Sequence, residues 1–200
     1  SNGSHEKQQQ QQQQKQQSGS SASLSMSESE VKKACCSIIR EYIDIKDITE
    51  VMVRVGQLQG ELNCEQIFVE EAIDTLLNCR TGERPLVEDL FCSVANNKFI
   101  LSKDVANGLK VTFEFLLDIK VDMPLCDQWI GHLLGRLIHF INPKDFTSLF
   151  SMFGSSEEYM VPDVCAGLLL GMLKSWDENE PASTKQLFCN VFSTPGFQTL

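Results

Sequence analysis

Leu116–Trp129 reads LLDIKVDMPLCDQW, and the reading of this stretch decides the fold. Before it, Val105, Leu109, Thr112, Phe113 and Leu116 recur at the spacing of one helix face. After it, Leu125, Trp129, Leu133, Leu137 and Phe140 form a second helical stripe. Pro124 lacks a backbone donor and pushes Met123 away from helical angles, so the first helix must end before it; the same ring suits the opening turn of the next helix. The stretch is therefore expected to be a tight loop holding Asp118 and Asp122 out between two buried helices. Asp is common at caps and turns, so residue type alone leans to a cap and a solvated side chain, with a docking surface as the alternative.

The flanking chain continues the helical pattern. Ser27-Glu28-Ser29-Glu30 has the form of a capping box and starts a helix with Val31, Cys35, Ile38, Ile39 and Tyr42 on one face. Asp47-Ile48-Thr49-Glu50 opens the next, with acidic residues in the favourable first turn. A third is predicted over Cys64–Cys79 and a fourth over Arg84–Asn96, where Pro85 is tolerated in the first turn. Ser102 is expected to cap the fifth. Beyond the quoted stretch, helices are predicted to about Ile141, over Lys144–Phe153 and over Val161–Trp176, with a last one between Pro181 and Phe192. Gly167 and Gly171 inside the Val161–Trp176 helix lower its propensity but permit close approach by a neighbour. Period-2 runs are absent. The expectation is all-α, an irregular HEAT-like stack of antiparallel helix pairs.

Residues 1–27 carry a near-continuous Gln run from Gln8 to Gln17 and then a Ser-rich patch. Such a segment has no apolar surface to offset its ordering entropy and is expected to be a disordered tail. The helical domain is assigned to 28–176 and a C-terminal extension to 177–200. Hydrophobic residues make up 42% and charged residues 22% of the chain, an ordinary globular balance. The net charge is −10, which repels phosphate backbones and favours a basic protein partner over direct nucleic-acid binding. None of the eight cysteines forms a C-x-x-C, and most fall on apolar helix faces. Free thiols in a reducing, cytoplasmic setting are the expectation. No run is long and apolar enough to span a membrane.

Catalytic motifs are missing. There is no phosphate-cradling glycine loop, no G-x-S-x-G and no H-E-x-x-H. His132 and His139 lie seven apart on one helix, but metal binding would need further ligands from other helices. Acidic pairs such as Glu70-Glu71 are expected on solvated helix surface. The sequence predicts no enzyme, no cofactor and no metal site.

Two motifs carry a resemblance. REYIDIKDITEVMVRVGQL (Arg40–Leu58) resembles the opening helix pair of the MA3 domain, with Glu41-Tyr42 ending one helix and Asp47 to Glu50 starting the next, although Val51 replaces the usual Ala. DIKVDMP (Asp118–Pro124) matches the D-x-x-x-D-x-P loop of that family. The following PLCDQWIGHLLGRLI is similar to the helix after that loop in translation initiation factor 4 gamma. The resemblance implies an atypical HEAT-like domain that binds the DEAD-box RNA helicase initiation factor 4A and links it to other initiation factors through the rest of a longer scaffold. It implies Asp118 and Asp122 as the anchor pair, Pro124 as the residue fixing the loop, and Asp47 and Glu50 as secondary contacts. Lys120, between the aspartates, is expected to soften their field. An architectural solenoid for another scaffold protein, or an MA3 domain of a translation inhibitor or splicing factor, are the alternatives.

Overall fold

A computed structural model of the chain describes residues 25–142, 144–145, 148–149 and 162–175. The Gln-rich tail, most of the helix expected over Lys144–Phe153, and the extension from residue 177 onward lie outside the described residues. Within them the chain is all-α, with eight helices and no strand. They are α1 (Glu28–Ile45), α2 (Ile48–Leu58), α3 (Cys64–Asn78), α4 (Arg84–Asn96), α5 (Ser102–Glu114), α6 (Leu116–Asp122), α7 (Cys126–Leu137) and α8 (Pro162–Lys174).

Local chemistry sets several of these boundaries. The Glu30 carboxylate accepts from the Ser27 backbone N–H at 2.8 Å and from the Ser27 hydroxyl at 2.7 Å, which holds the first turn of α1. The helix ends at Lys46, which takes a left-handed φ of 63° and returns its N–H to the Tyr42 carbonyl. Pro85 sits in the first turn of α4, where its missing N–H costs nothing. At the start of α5 the expectation fails. Leu101, not Ser102, holds the cap position, and its N–H is taken by the Asp104 carboxylate at 2.8 Å. The Ser102 hydroxyl instead donates to Asp145 at 2.5 Å and accepts from the Asn142 N–H at 2.6 Å. It ties α5 to a segment forty residues away rather than capping its own helix.

The helices stack in two rows. One row runs α1, α3, α5, and the other α2, α4, α7; α1 also packs on α2 and α4, and α3 on α4 and α7. Short turns within each pair force neighbouring helices antiparallel, the arrangement of a HEAT-like solenoid. The core lies between the rows. Val31, Cys35, Ile38, Ile39 and Tyr42, the face predicted for α1, are all buried. Phe68 of α3 meets Phe99 edge to face, with ring centroids 5.6 Å apart. Each large apolar side chain removed from water in this core contributes about 1.5–3 kcal/mol.

The closest packing joins α7 to α8. A Cβ on Gly131 would collide with the Leu168 carbonyl, and one on Gly171 with the Gln128 carbonyl. The two backbones touch because neither position carries a side chain, which is the close approach expected from Gly171.

A candidate protein-docking site

Asp118 and Asp122 do not lie in a loop. They belong to α6, a seven-residue helix inserted where a turn was expected. Pro124 does end the helix: Met123 before it is pushed to φ −126° and ψ 80°. Its influence stops there, however, because the ring constrains its immediate neighbour and leaves the turn before that free to stay helical. The break falls earlier, at Phe115, which adopts φ −110° and ψ 9°. That bend buries Leu116 (1% exposed) and turns Phe115 outward (56% exposed).

Helical geometry brings the two aspartates together. At i, i+4 they occupy one face of α6, with Cβ atoms about 5–6 Å apart, and both are exposed. Pro124 is exposed too, with Val121 and Leu125 as open apolar neighbours. No hydrogen bond or ion pair to either aspartate occurs among the described residues. Asp122 sits at the C-terminal end of α6, where the helix dipole disfavours a carboxylate. Asp118, in the first turn, is favoured by the same dipole, so local chemistry accounts for Asp118 and not for Asp122.

Lys120, expected to soften their field, makes an ion pair elsewhere. Its ammonium is ion-paired with the Asp127 carboxylate of α7, which is fully buried. A second oxygen of Asp127 accepts the Gln128 N–H at 2.7 Å. Gly167 of α8 packs directly over this carboxylate, and a Cβ there would strike it. Lys120 therefore fastens α6 to α7. A lone buried carboxylate would be strongly unfavourable, so the ion pair fixes the orientation of α6.

Asp47 and Glu50, the other acidic pair, are exposed at the start of α2. Asp47 is a helix cap: one carboxylate oxygen accepts the N–H of Thr49 at 2.9 Å and that of Glu50 at 3.2 Å. Helix α2 packs mainly on α1 and α4, and α6 on α5 and α7. The two acidic pairs thus sit on helices with no main packing partner in common, so α6 carries the better-defined site.

Other polar groups escaped the sequence reading. Glu88 of α4 is buried and bonds His132 Nδ1 at 2.9 Å and Arg136 at 3.3 Å, while Arg136 also reaches Asp89 at 2.7 Å. His132 is thereby engaged in a charged network between α4 and α7. Helical spacing could have signalled it, since His132 and Arg136 lie at i, i+4, but their acidic partners lie more than forty residues back. Beside this network, the Arg84 guanidinium stacks 3.4 Å from the Trp129 ring centre. Glu71 is not solvated either; it is buried and paired with Lys32 at 2.8 Å.

Seven cysteines are described, all as free thiols. Burial pushes Cys35 and Cys64 up to about 12 and Cys126 to about 11, which leaves these thiols protonated and weakly nucleophilic at neutral pH. No group of three or more metal-ligating side chains occurs among the described residues, and no described helix is long and apolar enough to cross a membrane. What the arrangement can do chemically is present fixed carboxylates to a cationic surface.

Comparison with known families gives a match to the family described as MA3 domain, over residues 31–140. It spans α1 to the end of α7 and stops short of α8. A search of curated proteins returns no significant match.

Proposed function

Because the chain belongs to the MA3 domain family, a family of helical protein-interaction domains, we propose that it docks the DEAD-box RNA helicase initiation factor 4A within the translation initiation machinery. Asp118 and Asp122 are the anchor pair, Pro124 fixes the end of α6, and Asp47 and Glu50 are secondary contacts. The observation that carries this reading is the pair of exposed carboxylates on one face of α6, with no ion pair to either among the described residues, while the adjacent Lys120 pairs with Asp127.

Arg or Lys on the partner can meet these carboxylates in charge-assisted hydrogen bonds. Because the Lys120–Asp127 pair already holds α6 in place, little ordering cost falls on binding. The net charge of −10 steers a basic face toward the domain and raises the encounter rate at low salt. The family resemblance of PLCDQWIGHLLGRLI (Pro124–Ile138) supports the scaffold branch of the family. On this reading a helical domain over residues 28–176 serves as one module of a larger cytoplasmic assembly.

Immobilised full-length chain titrated with purified factor 4A tests the assignment. Removing both side chains in Asp118→Ala/Asp122→Ala is expected to weaken binding at least about tenfold, the size of one lost charge-assisted contact. Unchanged affinity would contradict the site, and a wild-type chain that fails to bind would contradict the partner.

A further inference from the structure

An open groove of about 250 Å³ runs between α3 and the junction of α5 with α6. Its apolar side is formed by Val111, Phe115 and Ile119, of which Val111 is 46% and Phe115 56% exposed. Its α3 side carries Glu70 and Asp74, again a like-charged pair at i, i+4. The third carboxylate, Glu71, is offset by Lys32 and accepts the Cys36 thiol at 2.6 Å. Glu70 and Asp74 accept hydrogen bonds from neutral amides among the described residues, Gln66 at 2.8 Å and Asn78 at 3.1 Å, and Lys32, which also lines the groove, acts on Asp74 through its field without an ion pair to it.

The groove is continuous with the acidic face of α6. Ile119 donates its N–H to the Phe115 carbonyl at 2.9 Å, so Phe115 is in helical register with α6. At i, i+3 and i+7, Phe115, Asp118 and Asp122 share one side. Phe115 is thus an exposed aromatic placed between two carboxylate pairs that hold no ion pair among the described residues.

That pattern selects the occupant. An apolar wall needs an apolar side chain, and carboxylates on both flanks need cations. Phosphate backbones and anionic membranes are repelled by these groups. A second copy of the chain would bring the same acidic pairs and the same negative charge against them. We propose that the groove takes an apolar side chain from a basic segment of the docked protein partner, with an adjoining Lys or Arg bonding Glu70 or Asp74. This rests on the reading that the Asp118 and Asp122 face docks a basic protein, and it names the second half of the contact.

Factor 4A titrated into the full chain separates the two. Phe115→Ser is expected to weaken binding roughly tenfold, as for an aromatic anchor, with little change in salt dependence. Glu70→Gln/Asp74→Asn is expected to weaken it and to flatten the salt dependence. Val111→Ser serves as a second probe, and unchanged melting temperatures show that these exposed positions leave the fold intact. If Asp118→Asn/Asp122→Asn weakens binding while Phe115→Ser, Val111→Ser and Glu70→Gln/Asp74→Asn all bind like wild type, the groove is overturned and the docking reading stands. If the groove variants weaken binding and the α6 variant does not, the groove stands and the anchor pair fails. Failure of the wild-type chain to bind overturns both.

Discussion

Asp47 and Asp122 are both exposed carboxylates at helix ends, and the fold treats them in opposite ways. Asp47 precedes α2 and accepts two backbone N–H groups that would otherwise lack a partner within the helix. Asp122 closes α6, where the dipole opposes it, and stands four residues from a second carboxylate of like charge. Asp47 contributes to stability at its own helix; Asp122 is tolerated by its own. The contrast teaches that a surface carboxylate is informative when its local environment gives it no task.

The sharpest way to break this comparison lies in the tie beneath α6. Lys120→Met would leave Asp127 charged, buried and unpaired, and is expected to cost about 3 kcal/mol in urea unfolding. Adding Asp127→Leu should recover most of that loss, since an apolar pair removes the orphaned charge. If Lys120→Met unfolds like wild type, α6 is not fastened to α7 as described.

The seam that backs Asp127 comes next. Gly171→Ala places a methyl against the Gln128 carbonyl of α7 and is expected to cost about 2 kcal/mol, within the range for overpacking a close contact. A melting temperature equal to wild type would show that α8 does not seat on α7. Smaller again is Asp47→Ala, expected to lose about 1 kcal/mol with its two capping bonds. Smallest is Asp118→Asn/Asp122→Asn, which relieves the like-charge pair and should shift stability by no more than about 0.5 kcal/mol, toward the more stable side. Reversal of the last two magnitudes, read by thermal melting, would erase the distinction between the pairs.

Much of the fold was legible because its signals are local. The Ser27–Glu30 box, Pro85 within the first turn of α4, and the apolar face of α1 each reside within a few residues, and the helices begin where these signals place them. The irregular HEAT-like stack follows from helix lengths and short turns. The misreadings share a different origin. Pro124 constrains only Met123 and leaves the turn before it helical, so α6 carries no mark in the sequence. Ser102 bonds Asn142 and Asp145, and no local pattern marks a partner forty residues away. Glu71 differs from its neighbour Glu70 only in which side of α3 it faces, and adjacency in sequence does not report that. Asp127 likewise reads as an ordinary first-turn acid of α7, yet it is buried and holds Lys120. The exposure of the aspartates was legible from residue type and spacing; their place on a helix and the engagement of Lys120 by Asp127 were not.

The central claim is that Asp118 and Asp122 serve a partner rather than the fold. Its most direct test is the affinity of factor 4A for wild type and for Asp118→Asn/Asp122→Asn, measured across a range of salt concentrations. The account predicts that the variant binds at least about tenfold more weakly at low salt and that its affinity depends less steeply on salt, because two screened contacts are gone. Equal affinity and an equal salt slope would contradict it.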